Sequence, residues 1–354
     1  MPELGIIEGF YGDPWSWEAK AAVLALLAPR GYAFYLYAPK GDAFLRRRWQ
    51  EPHPPEQAHK LVRFAAQCHE LGVRFGLGLS PYEIYRDFGP SSREALARKL
   101  AWLDELGTQD LAILFDDMRG DSPDLADRQL EIVGFVAERT AAGRLFVCPT
   151  YYTDDAILDK LFGDRPPRYL ERLGAGLPTG IEIFWTGEEV ISREYSIGHL
   201  RRIADVLRRR PFLWDNYPAN DGPRLSRYLH LRAVTGRRAE IGEYIAGHGV
   251  NPAQQPVLSC IPAITLAESY RLGSDYEYGR AFRTAATAVL GEELAALLPE
   301  DVLTLQDVGQ ERIAPDVRAA LRAKYATFEH EGAQEIVRFL DGEYFTGEEV
   351  VRAQ

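Results

Sequence analysis

Apolar and polar residues follow two rhythms along this chain. Short, nearly continuous apolar runs recur at residues 5–10, 33–38, 74–79, 111–115, 145–148, 181–185 and 211–214, with a weaker one at 243–246. Such runs are the mark of parallel strands covered on both faces. Between them, residues 17–27, 56–71, 92–106, 124–139 and 197–208 carry apolar side chains at spacings of three and four, the pattern of amphipathic helices. Ser16, Ser91 and Ser122 stand at expected N-cap positions. Strands alternating with helices predict βαβ units and a parallel sheet. Eight of them over roughly 270 residues predict an α/β fold, a closed (β/α)8 TIM barrel. Strand eight and the helix after strand seven are its weakest members, and an open doubly wound sheet is the competing architecture. Beyond Tyr270 the rhythm changes. Residues 276–290, 291–298, 315–329 and 333–340 read as helices with no strand between them. The expected division is a barrel at 1–274 and a C-terminal helical region at 275–354, which either covers the barrel wall or serves as a homodimer contact.

Composition narrows the class. The chain has 354 residues, is 46% hydrophobic and carries a net charge of −11. A chain of this size buries a large core without disulfides or metals. Its negative charge argues against wrapping a nucleic acid backbone. No apolar run is long enough for a membrane helix. The first residues lack the basic-then-apolar signature of a signal peptide, so a cytoplasmic protein is expected. Cys68, Cys148 and Cys260 are far apart, sit in apolar surroundings and form no ligand pair, so they read as reduced, buried thiols.

The informative feature is where the polar residues fall. Each predicted strand runs into a polar and aromatic cluster: Glu8 to Gly12, Pro39 to Asp42, Ser80 to Tyr82, Asp116-Asp117, Pro149 to Tyr152, Trp185 to Gly187, Trp214 to Asn216 with Asn220-Asp221, and His248 to Pro252. In a TIM barrel these strand ends converge on one site. A pocket rich in carboxylates, amides and aromatics, with the single lysine Lys40, suits a neutral polyhydroxylated ligand. Asp116-Asp117, directly after the buried run LAILF, is the sharpest signal. Neighbouring carboxylates in different environments can divide acid and base roles. Taken singly, each of the other residues has a plainer reading. Lys40 reads as a surface lysine, Tyr151, Tyr152, Trp185 and Trp214 as packing, Asn216, Asp221 and Asn251 as turn residues, and His248 as a buried structural histidine. The metalloprotease, serine-hydrolase and phosphate-loop motifs HExxH, GxSxG and GxxxxGK[ST] are absent.

The strings GIIEGFYGDPWS, YLYAPKGD, ILFDDM, CPTYY, FWTGEEVIS, LWDNYPAND and GVNP occur in this order between residue 5 and about residue 252. Together they resemble glycoside hydrolase family 84, the family of O-GlcNAcases and bacterial β-N-acetylglucosaminidases. The resemblance implies a retaining enzyme that removes terminal β-linked GlcNAc from a glycan or glycoprotein, without cofactor or metal. Its chemistry would be substrate-assisted: the substrate's own acetamido oxygen attacks the anomeric carbon and forms an oxazoline, which water opens. It further implies that Asp116 orients the acetamide, and that Asp117, initially protonated, is the general acid and then the base. Tyr152 would bond the oxazoline, and Asn216 would hold the acetamide and the two acids. Gly9, Phe10, Tyr11, Lys40, Thr186, Val190, Trp214, Asp221 and Asn251 would bind the sugar. The sequence departs from the family pattern at Gly41, where an acid is usual, and at Tyr151, where some relatives have Glu. Two other readings compete: a non-catalytic GlcNAc-binding protein on the same barrel, and a hydrolase using the Asp pair as metal ligands.

Overall fold

The computed structural model describes all 354 residues. Eight parallel strands close into a barrel in sequence order, and the last pairs with the first. They are β1 (Glu3–Glu8), β2 (Tyr32–Tyr37), β3 (Arg74–Leu79), β4 (Asp110–Leu114), β5 (Arg144–Cys148), β6 (Ile181–Trp185), β7 (Phe212–Asp215) and β8 (Gly247–Val250). Around them lie α1 (Trp17–Leu27), α2 (Pro55–Glu70), α3 (Pro90–Glu105), α4 (Leu125–Ala137), α5 (Ile157–Phe162), α6 (Tyr169–Gly176), α7 (Ile197–Leu207), α8 (Gly222–Leu225) and α9 (Pro256–Leu272). The remaining helices are α10 (Tyr278–Leu290), α11 (Glu292–Ala295), α12 (Leu298–Leu303), α13 (Pro315–Tyr325), α14 (Glu331–Asp341) and α15 (Glu348–Ala353). The expected barrel is therefore present, and the open sheet is excluded by the β1–β8 pairing.

Three expectations need correction. The eighth strand is Gly247–Val250, immediately after the apolar run at 243–246. Its glycines are required by packing: a Cβ on Gly247 would lie 2.3 Å from the Phe212 ring, and one on Gly249 would lie 2.3 Å from Ile7 Cδ1. Ser16 does cap α1, accepting from the Ala19 amide at 3.1 Å. Ser91 lies inside α3, which Pro90 opens, while the Ser122 hydroxyl instead donates to Asp124. Helix α9 has no amphipathic signature because it is covered nearly all round, and no sequence period predicts it. Both α10 and α14 pack against α9, and one hydrophobic cluster runs from the barrel into these helices.

Aromatic rings fill the barrel centre. Phe212 meets Phe34, Phe146 and Phe184 edge-on at centroid separations of 5.2–5.5 Å, and Phe184 meets Trp214 at 5.2 Å. This column, worth several side chains of full burial at about 2–3 kcal/mol each, rises to Trp214 at the floor of the site. Gly9 makes room for it, since a Cβ there would sit 2.3 Å from the Trp214 ring.

Candidate active site

Asp116 and Asp117 follow β4. Phe115 still bonds the next strand, its N–H donating to Cys148 O at 2.9 Å. Beyond it the chain must turn if neighbouring side chains are to face the same cavity. Asp117 makes that turn with a left-handed backbone, φ 57°. For a residue other than glycine this costs of order 1 kcal/mol and persists only where the surroundings enforce it.

The two carboxyls sit in different settings. Asp116 is 5% exposed. Its Oδ2 is paired with Lys40 Nζ, while its Oδ1 is buried with no hydrogen-bond partner. An orphan of this kind costs about 1–3 kcal/mol, so it marks a place where a donor belongs. Asp117 is more open. Its Oδ2 accepts from Tyr11 Oη at 2.9 Å and its Oδ1 from Tyr152 Oη at 3.1 Å, and Lys40 Nζ lies 3.4 Å away. Burial raises the Asp117 carboxyl, but the charges of Lys40 and Arg46 and the two phenol hydrogen bonds outweigh it and hold the group below the usual range. Without substrate, these cations and phenols favour the Asp117 carboxylate. Burial lowers Lys40, yet the two aspartates more than compensate, so it stays charged. Burial and the Asp117 charge push the Tyr11 phenol well up, and burial with Asp117 does the same for Tyr152, so both remain donors.

A belt of amides forms the opposite side. Gly9 N–H donates to Asn251 Oδ1 at 3.1 Å, Asn251 Nδ2 to Asn216 Oδ1 at 2.9 Å, and Asn216 Nδ2 to Val190 O at 2.9 Å. Trp214 Nε1 also donates to Asn216 Oδ1, at 3.0 Å. Asn216 makes no direct hydrogen bond to either aspartate; its partners are Trp214, Val190 and Asn251. Thr186 Oγ1 donates to Glu189 O at 3.1 Å and fastens the loop that carries Val190. Asp221 Oδ2 accepts from Tyr11 N at 2.7 Å; burial raises its carboxyl, partly offset by that N–H. Beneath the belt, Asp215 is locked by Arg237 at 2.8 and 2.9 Å and by His248 at 3.0 Å. His248 also meets Tyr270 Oη at 2.8 Å, which makes it a structural histidine.

Phe10 does not line the cavity. Its ring is buried against Trp15, and only its carbonyl contributes, accepting from Lys40 N at 3.3 Å. Tyr151 is likewise core, its hydroxyl bonded to Gly163 O at 2.5 Å. Glu8, buried beneath the first loop, takes Lys20 Nζ at 3.0 Å and Tyr35 Oη at 2.7 Å, a support for that loop. Sequence reasoning missed Arg46. Its Nη2 donates to Asp117 O at 3.2 Å and its Nη1 to Ser80 Oγ at 2.7 Å. Within a run of three arginines nothing singled it out. No three His, Cys, Asp or Glu side chains group as a metal site, and no helix is long and apolar enough to cross a membrane.

Two unlike carboxyls and a belt of amides at the strand ends of a TIM barrel are an arrangement that glycoside hydrolases use. A family model described as beta-N-acetylglucosaminidase matches residues 4–300, and the chain belongs to that family. Among curated relatives, the Protein O-GlcNAcase of Rattus norvegicus and that of Mus musculus are each 29% identical over 276 residues, covering 75% of this chain. The match covers 30% of the relatives' own length. Among solved structures, a single-site mutant of the Thermobaculum terrenum O-GlcNAc hydrolase superposes with a TM-score of 0.75 at 27% identity, over 96% of this chain and 74% of that one.

Proposed function

We propose that this chain is a retaining β-N-acetylglucosaminidase of the O-GlcNAcase type, which releases terminal β-linked GlcNAc by substrate-assisted catalysis. The observation that carries the reading is the unequal Asp pair: Asp116 with one buried oxygen lacking a donor, beside Asp117 held in a left-handed turn. An acetamide N–H supplies the donor that Asp116 Oδ1 lacks. The ionised carboxylate then offsets the positive charge that grows on nitrogen as the acetamido oxygen attacks the anomeric carbon. Lys40, paired with Asp116 Oδ2, leaves Oδ1 as the oxygen that faces the acetamide. Asp117 donates a proton to the leaving oxygen and takes one back from water. It must therefore gain a proton as substrate enters. Displacement of water, and diversion of Tyr152 Oη from Asp117 to the acetamido oxygen, both act in that direction. Trp214, Asn216, Asn251, Asp221, Lys40 and the Gly9 amide would hold the ring and its hydroxyls, with Tyr11, Thr186 and Val190 shaping the walls. The substrate is a GlcNAc-bearing glycan or glycoprotein, and no cofactor is invoked.

The test is turnover of aryl β-N-acetylglucosaminides by the folded protein, with product stereochemistry read by NMR. Release of the β-anomer supports the reading. Inversion, or activity abolished by a chelator, would sink the mechanism. Binding of GlcNAc with no turnover would establish the non-catalytic alternative.

A further inference from the structure

The segment after α14 returns to the mouth of the barrel. Thr346 N–H donates to Ser226 Oγ at 3.1 Å, and Thr346 Oγ1 donates to Gln254 Oε1 at 3.1 Å. Helix α15 then carries Gln354 to the rim. There its side-chain amide pairs with one residue of the first loop: Gly12 N–H donates to Gln354 Oε1 at 3.0 Å, and Gln354 Nε2 donates to Gly12 O at 3.3 Å. Its main-chain oxygen accepts from Arg46 Nε at 2.8 Å on the second loop. Both loops are shaped for this seat. Gly12 has φ 104°, and a Cβ on Gly41 would lie 3.1 Å from Gln354 Nε2 and 3.0 Å from Gly12 O.

Each tethered loop ends on Asp117. Gly12 follows Tyr11, whose hydroxyl holds the Asp117 carboxylate, and Arg46 holds the Asp117 carbonyl. The strained turn at Asp117 is thus gripped from two sides, and a single residue joins the grips.

We propose that Gln354 is a positioning residue for Asp117, bridging the loop that carries Tyr11 to the loop that carries Arg46. The inference rests on the functional reading above. A group that positions the general acid matters most where the leaving group needs protonation. With the full chain, Gln354→Ala should lower kcat about tenfold on a phenyl β-N-acetylglucosaminide and less than about threefold on the dinitrophenyl analogue, with KM within about twofold. Gln354→Glu, which keeps the acceptor for Gly12 N–H and loses the donor to Gly12 O, should fall between. Glu349→Ala, exposed on the same helix, should match the parent chain. Gly41→Ala crowds the seat from the other side, so its loss should not add to that of Gln354→Ala in the double variant. Equal losses on both substrates, a change in KM alone, additive losses or no loss would each overturn the proposal. Thermal melts separate these outcomes from unfolding. A parent chain inactive on both substrates would instead overturn the functional reading, and this inference with it.

Discussion

The two ends of the barrel both hold clusters of acidic and basic side chains, and they are built for opposite purposes. At the N-terminal end, Glu3 meets Arg74 and Arg144 at 2.6 Å each, Arg74 reaches Asp110 at 3.0 Å, and Arg144 reaches Glu182 at 3.6 Å. Every charge there has an opposite partner on a neighbouring or nearby strand, and the backbone is ordinary strand. At the C-terminal end, Asp116 keeps a bare buried oxygen, two acids stand side by side, and Asp117 occupies a left-handed turn. Carboxylates placed at the first end close the barrel; carboxylates placed at the second leave bonding capacity for something else. Stability and function are thus separated by the length of one strand: β4 begins with the paired Asp110 and leads directly into Asp116.

That contrast can be broken experimentally. The largest effect is expected from Asp116→Asn, which on the proposed mechanism replaces the carboxylate that faces the acetamide. kcat should fall by about a hundredfold or more on good and poor leaving groups alike, with little change in melting temperature. Next, Asp117→Asn should cost roughly a hundredfold on the phenyl substrate and much less on the dinitrophenyl one. A uniform loss would remove Asp117 from the acid role. At the other end, Asp110→Ala should leave kcat of the folded protein within about twofold yet destabilise by about 2 kcal/mol. This is at the low side for a broken buried pair because Arg74 is 30% exposed. A denaturant melt measures it, and a loss of activity without a loss of stability would erase the distinction between the ends.

A graded, pH-dependent effect sharpens the comparison with a buried acid in neither cluster. Glu335 on α14 accepts from Val257 N and Leu258 N at 2.9 Å each, capping α9, and burial pushes its carboxyl up to about 7. The folded state therefore holds a proton that the unfolded state releases near its usual pKa, about 4.5. Stability from this group is complete below pH 4.5 and lost as pH rises towards 7, on the order of 3 kcal/mol at most. Glu335→Gln should flatten that part of the stability–pH curve. An unchanged curve would show that the carboxyl ionises normally.

Most of the barrel was legible because its elements obey local periodicity. Five helices and seven strands stand within a few residues of where apolar spacing places them, and ILFDDM located the Asp pair. The misses share a cause. The motif GHGV looks unlike a strand because its glycines answer to Phe212 and Ile7, which lie on other strands. Helix α9 hides its period because neighbours cover nearly every side. Phe10 sits in a family-like motif but turns into the core against Trp15.

What the sequence determined by itself was the alternation of strands and helices and the chemical types gathered at the strand ends, since these follow from patterns within a few residues of one another. Only the tertiary structure decided that β8 closes on β1, which oxygen of Asp116 goes unpaired, that two cations and two phenols converge on Asp117, and that Gln354 meets Gly12 across 342 positions of chain. Those facts depend on distances between residues remote in sequence, and no local pattern encodes them.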